Sequence, residues 1–472
     1  MTTSLEIRSG RYHDSVRLMQ ASRALLEVSG IQDALVAMAT DLNLELLAGM
    51  GFDLESACGA GPDDLLVAIR AADPADVEVA HRCLDEVLSL RPEAPARWAL
   101  GPSARTIESA TRRIEANVAL VSVPGPHAFV EAMAALRAGL HVMVFSDNVP
   151  IEQEVTLKRE AARRNLLVMG PDCGTTIVSG VGLGFANVVL PGPIGITGAS
   201  GTGIQQLCCL LDAADVGVRH ALGTGSRDLS VEVGAASTMS ALAALDAEPS
   251  VEVILVVSKP PAPTVAARVR EAAAACATPV VMALLGESGS TLEEAAAEAT
   301  RLLERTAPSP LSWPTPIGRK PRPGVLRGLF SGGTLMDEAA VIAAADPDVP
   351  EHRLVDLGAD EYTQGRPHPM IDYRLRLEQL HEAADDPTTA VILLDVVLGH
   401  GAHPDPASEL APAIRETADR GAAVVVSLCG TRHDPQDRDS QASMLQRAGA
   451  SVWLSNAAAA RHAVALAKGH ES

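Results

Sequence analysis

The sequence predicts an α/β protein organised around parallel sheets, and three observations carry that expectation. Hydrophobic residues make up 47% of the 472-residue chain while aromatics make up only 2%, so its cores must be built from Ala, Val, Leu and Gly. Small aliphatic cores of this kind suit parallel sheets covered by helices on both faces. Strand-length apolar runs alternate with helix-length amphipathic segments along the chain. A strand, glycine loop and helix beginning near residue 193 return near residue 325. The length suggests about three domains, each large enough for its own core.

Residues 1–95 read as a small α/β unit, with strands at 4–8, 32–39 and 64–71 and helices at 14–28, between 40 and 63, and at 73–88. Asp73 followed by Pro74 is a helix start, with the acid as N-cap and proline in the first turn. The unit has no glycine loop, histidine cluster or paired carboxylates, so oligomerisation or partner docking is its expected role. Pro and Gly between 91 and 103 mark a linker.

Residues 105–190 carry strands at 118–123, 141–145 and 166–169, separated by helices at 129–138 and 151–164, the spacing of βαβ crossovers. After the third strand comes Gly170-Pro-Asp-Cys-Gly-Thr175, readable as a Pro/Gly turn or as an active-site loop bearing Asp172 and Cys173.

The most informative stretch is Pro193-Ile-Gly-Ile-Thr-Gly-Ala-Ser-Gly-Thr-Gly203, which runs into a helix with apolar residues at i, i+3, i+4 and i+7. Unpaired N–H groups of the loop Ser200, Gly201, Thr202, Gly203 and the positive end of that helix suit an anion. A second copy places Val325–Phe330 before the loop Ser331, Gly332, Gly333, Thr334 and another helix. The expected domains are therefore 191–306 and 325–472, joined by a Pro-rich linker at 307–324, with both helix N-termini aimed at one shared anion.

Charged groups for such a site stand at strand ends. Lys259 follows the apolar run 251–257 and is stiffened by two prolines, so it can supply a full positive charge or face solvent. Arg227, in Gly223-Thr-Gly-Ser-Arg-Asp228, can clamp a phosphate or carboxylate, or pair with Asp228. His400 and His403 lie just past the strand 390–398 and suit proton transfer or hydrogen bonding to substrate. With no third ligand, no metal is expected there. His433 and Asp434 can join them or form an ordinary loop, and Cys208-Cys209 reads as core.

The net charge of −21 disfavours nucleic acid and acidic membranes as partners, and no apolar run approaches a membrane span. Seven cysteines spread through apparent helices and strands suggest reduced thiols, and a cytoplasmic location is expected. No phosphate-binding Gly-x-x-x-x-Gly-Lys-Ser/Thr loop and no Gly-x-Ser-x-Gly elbow occurs.

With these residues in view, the chain resembles the FdrA family, relatives of the succinyl-CoA synthetase superfamily. Val121-Ser-Val-Pro124, Gly170-Pro-Asp-Cys173, Gly198-Ala-Ser-Gly-Thr-Gly203 and Gly223-x-Gly-x-Arg-Asp228 resemble the synthetase α-subunit. Val355-Asp-Leu-Gly358, Leu394–Gly399 and Val426-Ser-Leu-Cys-Gly430 resemble the ligase domain that ends the β-subunit. FdrA-like signatures are Leu329–Leu335, Gly365–Asp372 and Leu394–Pro406. The resemblance implies a partial Rossmann-like domain at 105–190, then two flavodoxin-like ligase domains with parallel sheets.

In the synthetases the helices after the two loops hold a phosphohistidine between them. Here no histidine lies between residue 284 and His352, and Lys259 stands where the α-subunit has a glutamate. The strand and glycine loop that hold CoA are replaced by the 1–95 unit, so CoA is a doubtful ligand and this chain alone is expected to require no cofactor. No ATP-grasp domain is present, which implies work with other enzyme subunits in a hetero-oligomer. The resemblance implies oxamate carbamoyltransferase of allantoin catabolism: carbamoyl phosphate and oxamate giving oxalurate and phosphate. The phosphate would lie between Ser200–Gly203 and Ser331–Thr334, with Lys259 and Arg227 on the leaving group and His400 or His403 moving the proton. The alternatives are a subunit of an acyl-CoA synthetase and a non-catalytic scaffold.

Overall fold

The computed structural model describes residues 2–470 except 12, 14, 55–56, 58, 62, 90–103, 287–290, 308–310, 315–321, 349–350 and 364–366. The whole linker expected at 91–103, more than half of that at 307–324, and part of the 284–291 loop lie outside the described residues. The chain divides into two units, residues 1–105 with 360–367, and residues 106–359 with 368–472.

In the first unit the order is β1 (Thr2–Arg8), α1 (Ser15–Leu26), β2 (Ile31–Met38), α2 (Asp41–Gly49), β3 (Leu65–Ala71) and α3 (Pro74–Ser89). The sheet runs β1-β3-β2 and is antiparallel throughout. Alternate residues of β3 feed two cores, Leu65, Val67 and Ile69 into one and Leu66 and Ala68 into the other. Asp73 caps α3 as expected, accepting the Ala75 N–H at 2.9 Å.

The second unit opens with α4 (Ile107–Thr111), β4 (Val118–Val121), α5 (Gly125–Arg137), β5 (His141–Val144), α6 (Ile151–Arg164) and β6 (Val168–Met169). Its three strands form a parallel sheet in the order β4-β5-β6. The next hairpin, β7 (Thr175–Val178) and β8 (Val181–Gly184), leaves that sheet and joins the following one.

That following sheet holds β9 (Ile194–Ala199), α7 (Gly201–Ala213), β10 (Val218–Gly223), α8 (Ala236–Asp246), β11 (Val253–Ser258), α9 (Pro263–Ala275), β12 (Val280–Leu284) and α10 (Leu292–Leu302). The last sheet has β13 (Ser312–Trp313), β14 (Val325–Phe330), α11 (Gly333–Ala344), β15 (His352–Asp356), then α12 (Asp360–Thr363), which groups with the first unit. It continues through α13 (Arg374–Asp385), β16 (Thr389–Val397), α14 (Pro406–Arg420), β17 (Ala423–Cys429), α15 (Arg438–Ala448), β18 (Ala450–Trp453) and α16 (Asn456–Ala467).

The strand orders are β12-β11-β9-β10-β7-β8 and β13-β18-β17-β16-β14-β15. The parallel core of each half therefore follows the doubly wound flavodoxin-like order, with its first strand between its second and third. In such sheets ligands bind where the strand order reverses, above the carboxyl ends of the first and third strands. Those ends carry Ser200 and Lys259 in one half, and Ser331 and the 398–403 loop in the other.

The two halves share one core, in which Ile204, Leu207 and Leu211 of α7 pack with Leu335 and Ala339 of α11 and Val425 of β17. The sequence pattern gave α7 a single apolar stripe, but every residue from Thr202 to Asp212 is buried. A helix covered all round lies between layers. Here one side meets its own sheet and another meets the second half, where the Gln206 amide donates to Leu454 O at 2.9 Å.

Candidate functional site

The two glycine loops meet. Ser200 is the N-cap of α7, and its Oγ accepts the Gly203 N–H at 2.9 Å while lying 2.6 Å from Thr334 Oγ1 at the start of α11. Gly332 is the N-cap of α11 and lies against Thr202: a Cβ there would stand 2.6–2.8 Å from the Thr202 side chain. Position for position Ser200 corresponds to Gly332 and Thr202 to Thr334, so the contact repeats with roles exchanged. The first N–H groups of a helix have no partner within it, and here two such ends converge.

The end belonging to α11 is partly satisfied by the protein. Asp395 on β16 accepts the Ser331 N–H at 2.8 Å and the Ser331 hydroxyl at 3.0 Å, and also a bond from the Gly332 N–H. Arg376, fully buried, donates to Asp395 Oδ1 at 3.0 Å and to Leu329 O at 3.2 Å. Burial pushes the Asp395 carboxyl up, against the pull of Arg376 and the N–H groups. Ser331 is thus a positioning group under the helix rather than an open hydroxyl.

Lys259 leans over the same helix start. A Cβ on Gly333 would lie 2.3 Å from Lys259 Nζ and 2.3 Å from Asp356 Oδ2, so a side chain there would push both groups aside. Nζ stands 4.0 Å from Asp356 Oδ2 and its side chain remains 42% exposed, leaving one side open to a ligand. Burial raises the Asp356 carboxyl and Lys259 opposes the rise. Asp337, raised by its own burial, also feels Lys259. Asp356, Asp395 and Arg376 were not singled out as site residues in the sequence; the only signal was Val355-Asp-Leu-Gly358 and Leu394-Asp, read as family motifs.

Three residues expected at the site, Arg227, Cys173 and His403, make other contacts. Arg227 pairs with Glu154 at 2.9 Å and donates to Val149 O at 2.7 Å, and not with Asp228. Asp228 belongs to Lys158 at 2.8 Å and caps α8 through the N–H groups of Ser237 and Thr238. Cys173 is buried, its thiol against Thr176 Oγ1 at 3.3 Å and pushed up to about 11 by burial, which keeps it a neutral thiol. His403 is buried edge-on against Tyr373, with Nδ1 accepting the Asp405 N–H at 3.0 Å and Nε2 3.7 Å from Glu409 Oε1, so its imidazole is held by the turn before α14 and by the first turn of that helix. Asp172 is exposed at a positive φ of 55°, its N–H bonded to Ser146 O.

His400 is exposed, with its backbone bridged to Ala186, outside the contacts that join the two loops. Asp434 is a staple between halves, accepting from Asn187 Nδ2, Val188 N–H and Thr431 N–H, each at 2.7 Å. Cys208 and Cys209 are core, raised by burial, with Cys209 Sγ 3.6 Å from Cys429 Sγ. Among the described residues no group of three His, Cys, Asp or Glu side chains is placed to hold a metal, and no helix is long and apolar enough to cross a membrane.

The two doubly wound halves belong to the succinyl-CoA-synthetase-like class, as their family matches show. Residues 329–466 match the family described as CoA-ligase, residues 191–285 the CoA binding domain and residues 1–99 the AllF heavy metal-associated domain. The CoA binding match falls on the segment read above as the first ligase domain, and not on 105–190. The chain is 37% identical to the protein YahF of Escherichia coli (strain K12), across 95% of each chain, and belongs to the same family.

It is also similar to the malate–CoA ligase α-subunit of Methylorubrum extorquens, at 24% identity over 34% of this chain and 55% of that one. The succinate–CoA ligase [ADP-forming] α-subunit of Methanothermobacter thermautotrophicus is 26% identical over 25% and 42%. The matched stretch thus spans about half the length of these ligase relatives. Among solved structures, PH0766 from Pyrococcus horikoshii OT3 aligns over 78% of this chain and 87% of that one, with 14% identity and a TM-score of 0.34.

Proposed function

We propose that this chain supplies the phosphate site of an acid–thiol ligase-type enzyme, holding the phosphoryl group of an acyl phosphate beside the N-termini of α7 and α11. The observation that carries this reading is the Ser200–Thr334 contact, which brings two helix starts together directly below Lys259. Each helix end favours an anion by about 0.3–1 kcal/mol, rising to about 2 when partly buried. Two ends and an ammonium together reach the roughly 4 kcal/mol of a millimolar site. Lys259 in place of a glutamate, and no histidine between 284 and 352, favour a free phosphoryl group over a phosphorylated side chain.

In this proposal the α7 loop, packed against Thr334 and Gly332, serves a phosphoryl group and not CoA. In our reading the thiol and the nucleotide are therefore brought by other subunits, and this chain binds the acyl phosphate and stabilises the departing phosphate.

A second reading rests on residues 1–99, which match the AllF domain. Together with the FdrA resemblance, that match favours transfer of a carbamoyl group from carbamoyl phosphate to oxamate, giving oxalurate and phosphate. One experiment separates the readings: the chain co-purified with its subunits is given succinyl phosphate with CoA, or carbamoyl phosphate with oxamate, and phosphate release is followed. Release with the first pair, lost in Lys259→Ala, is the expected result. Turnover of only the second pair transfers the assignment, and release with neither ends both.

A further inference from the structure

A cavity of about 670 Å³ opens at the seam between the two halves, on the side of α11 away from its N-terminus. The first half contributes Leu285, Gly286 and Thr291, and the second contributes one face of α11 and the end of α16. Small-molecule sites have this size and prefer such seams. Its walls are apolar at Leu285, Ile342 and Val464.

At its base stands Glu338, 2% exposed. One oxygen accepts the Leu292 N–H at 2.6 Å and the other the Asn456 amide at 2.8 Å. Neither partner carries charge. Of the basic groups that line the cavity, Lys468 pairs with Asp346 at 2.9 Å and Arg461, which acts on Glu338 only at longer range, with Glu293 at 2.9 Å; among the described residues none of them, His470 included, hydrogen-bonds to Glu338. A buried carboxylate with no charged hydrogen-bond partner is costly. That cost is relieved by a positively charged group rich in N–H donors.

We infer that this cavity is a binding site for a small organic cation, its ammonium or guanidinium head on Glu338 and its hydrocarbon body along Ile342 and Val464. A phosphate or carboxylate is the wrong charge for it, so the site is separate from the helix pair and does not depend on the phosphate reading. Glu338, which burial pushes up to about 7, would release its proton to solvent as the cation binds.

The test uses three probes of one shape: cyclohexylmethylammonium, cyclohexylmethanol and cyclohexylacetate, titrated calorimetrically into the full chain at pH 8. Saturable binding of the ammonium, at least tenfold tighter than either other probe and unchanged by millimolar inorganic phosphate, is expected. Glu338→Gln should weaken it at least tenfold, and Ile342→Trp, which fills the cavity and leaves the carboxyl in place, should abolish it should the first variant not fold. Equal or tighter binding of the carboxylate, no saturable binding of the ammonium, or full affinity in Ile342→Trp would overturn the assignment.

Discussion

Ser200 Oγ and Thr334 Oγ1 lie 2.6 Å apart, so the cap of one helix is bonded to the first turn of its counterpart in the other half. Ser200 therefore does two things, capping Gly203 within α7 and tying α7 to α11. Loss of an N-cap costs about 0.5–2 kcal/mol, and a single buried hydrogen bond about 1. Ser200→Ala should cost about 2 kcal/mol by urea denaturation and Thr334→Val about 1. The double variant should fall short of the sum by about 0.5–1 kcal/mol because the two share one bond. Strict additivity would show that the hydroxyls act separately.

The reciprocal contact makes a steric prediction. Gly332→Ala puts a methyl within 2.6–2.8 Å of Thr202, between two helix ends packed in a common core. Overpacking of this kind costs about 1–3 kcal/mol. Replacing Thr202 by Gly in the Gly332→Ala background should restore part of the loss, read as a rise in the urea midpoint; no recovery would place the strain elsewhere.

Lys259 and Asp356 should move phosphate binding in opposite directions. The ammonium attracts the anion, and the carboxylate 4.0 Å away repels it and competes for the same charge. Lys259→Ala is expected to weaken inorganic phosphate binding at least tenfold, and Asp356→Asn to strengthen it several-fold, both by calorimetric titration at pH 7.5. Removing Lys259 should also raise the already elevated Asp356 carboxyl further, since the lysine opposes the effect of burial. A matching loss in both variants would mean that Asp356 holds the site together instead of competing with it.

The doubly wound halves were legible because periodicity and composition act locally. The strand ending at Gly198 and the loop from Ser200 to Gly203 can be read from neighbours a few residues apart, and the pattern at 325–334 repeats them. Which cations serve the site was not legible, because that depends on partners far away in sequence. Arg227 reads as a phosphate clamp until Glu154 is found beside it, and His403 reads as a proton carrier until Tyr373 covers it. Asp395 escaped notice for the opposite reason: an acid inside an apolar strand shows its purpose only when Ser331 and Arg376 arrive from other elements. Likewise the amphipathic pattern of α7 cannot report a second half that covers its polar side.

Arg227 and Lys158 provide a test of that distinction. Glu154, Lys158 and Asp228 are buried together, with Lys158 Nζ 2.8 Å from both carboxylates. Lys158→Met leaves two buried acids with only Arg227 nearby, and loss of one partner from such a group typically costs about 3–5 kcal/mol. Arg227→Ala, at a side chain 39% exposed, should cost far less and leave phosphate affinity within about twofold. A large drop in phosphate affinity without loss of stability in Arg227→Ala would return this arginine to the anion site.

Glu338 should leave a signature in the pH dependence of stability. Its carboxyl rises from 4.5 to about 7 on folding, chiefly because burial penalises the charge, while the Asn456 and Leu292 bonds offset only part of that. Between these two values the folded protein holds a proton that the unfolded chain has released. The group's contribution is therefore fully present below about pH 4.5, declines as pH rises, and is lost above about 7. At about 1.4 kcal/mol per unit the decline amounts to about 3 kcal/mol over the window. Other carboxylates, such as Asp386, held low at about 2 by Thr388 and Arg327, act in the opposite sense and below this range. The difference between wild type and Glu338→Gln isolates the effect: urea denaturation at pH 5 and pH 8 should show the variant gaining relative to wild type by about 2–3 kcal/mol at the higher pH. A difference that stays constant with pH would mean that Glu338 is already ionised in the folded protein, and with it would go the account of an uncompensated carboxyl at the base of the cavity.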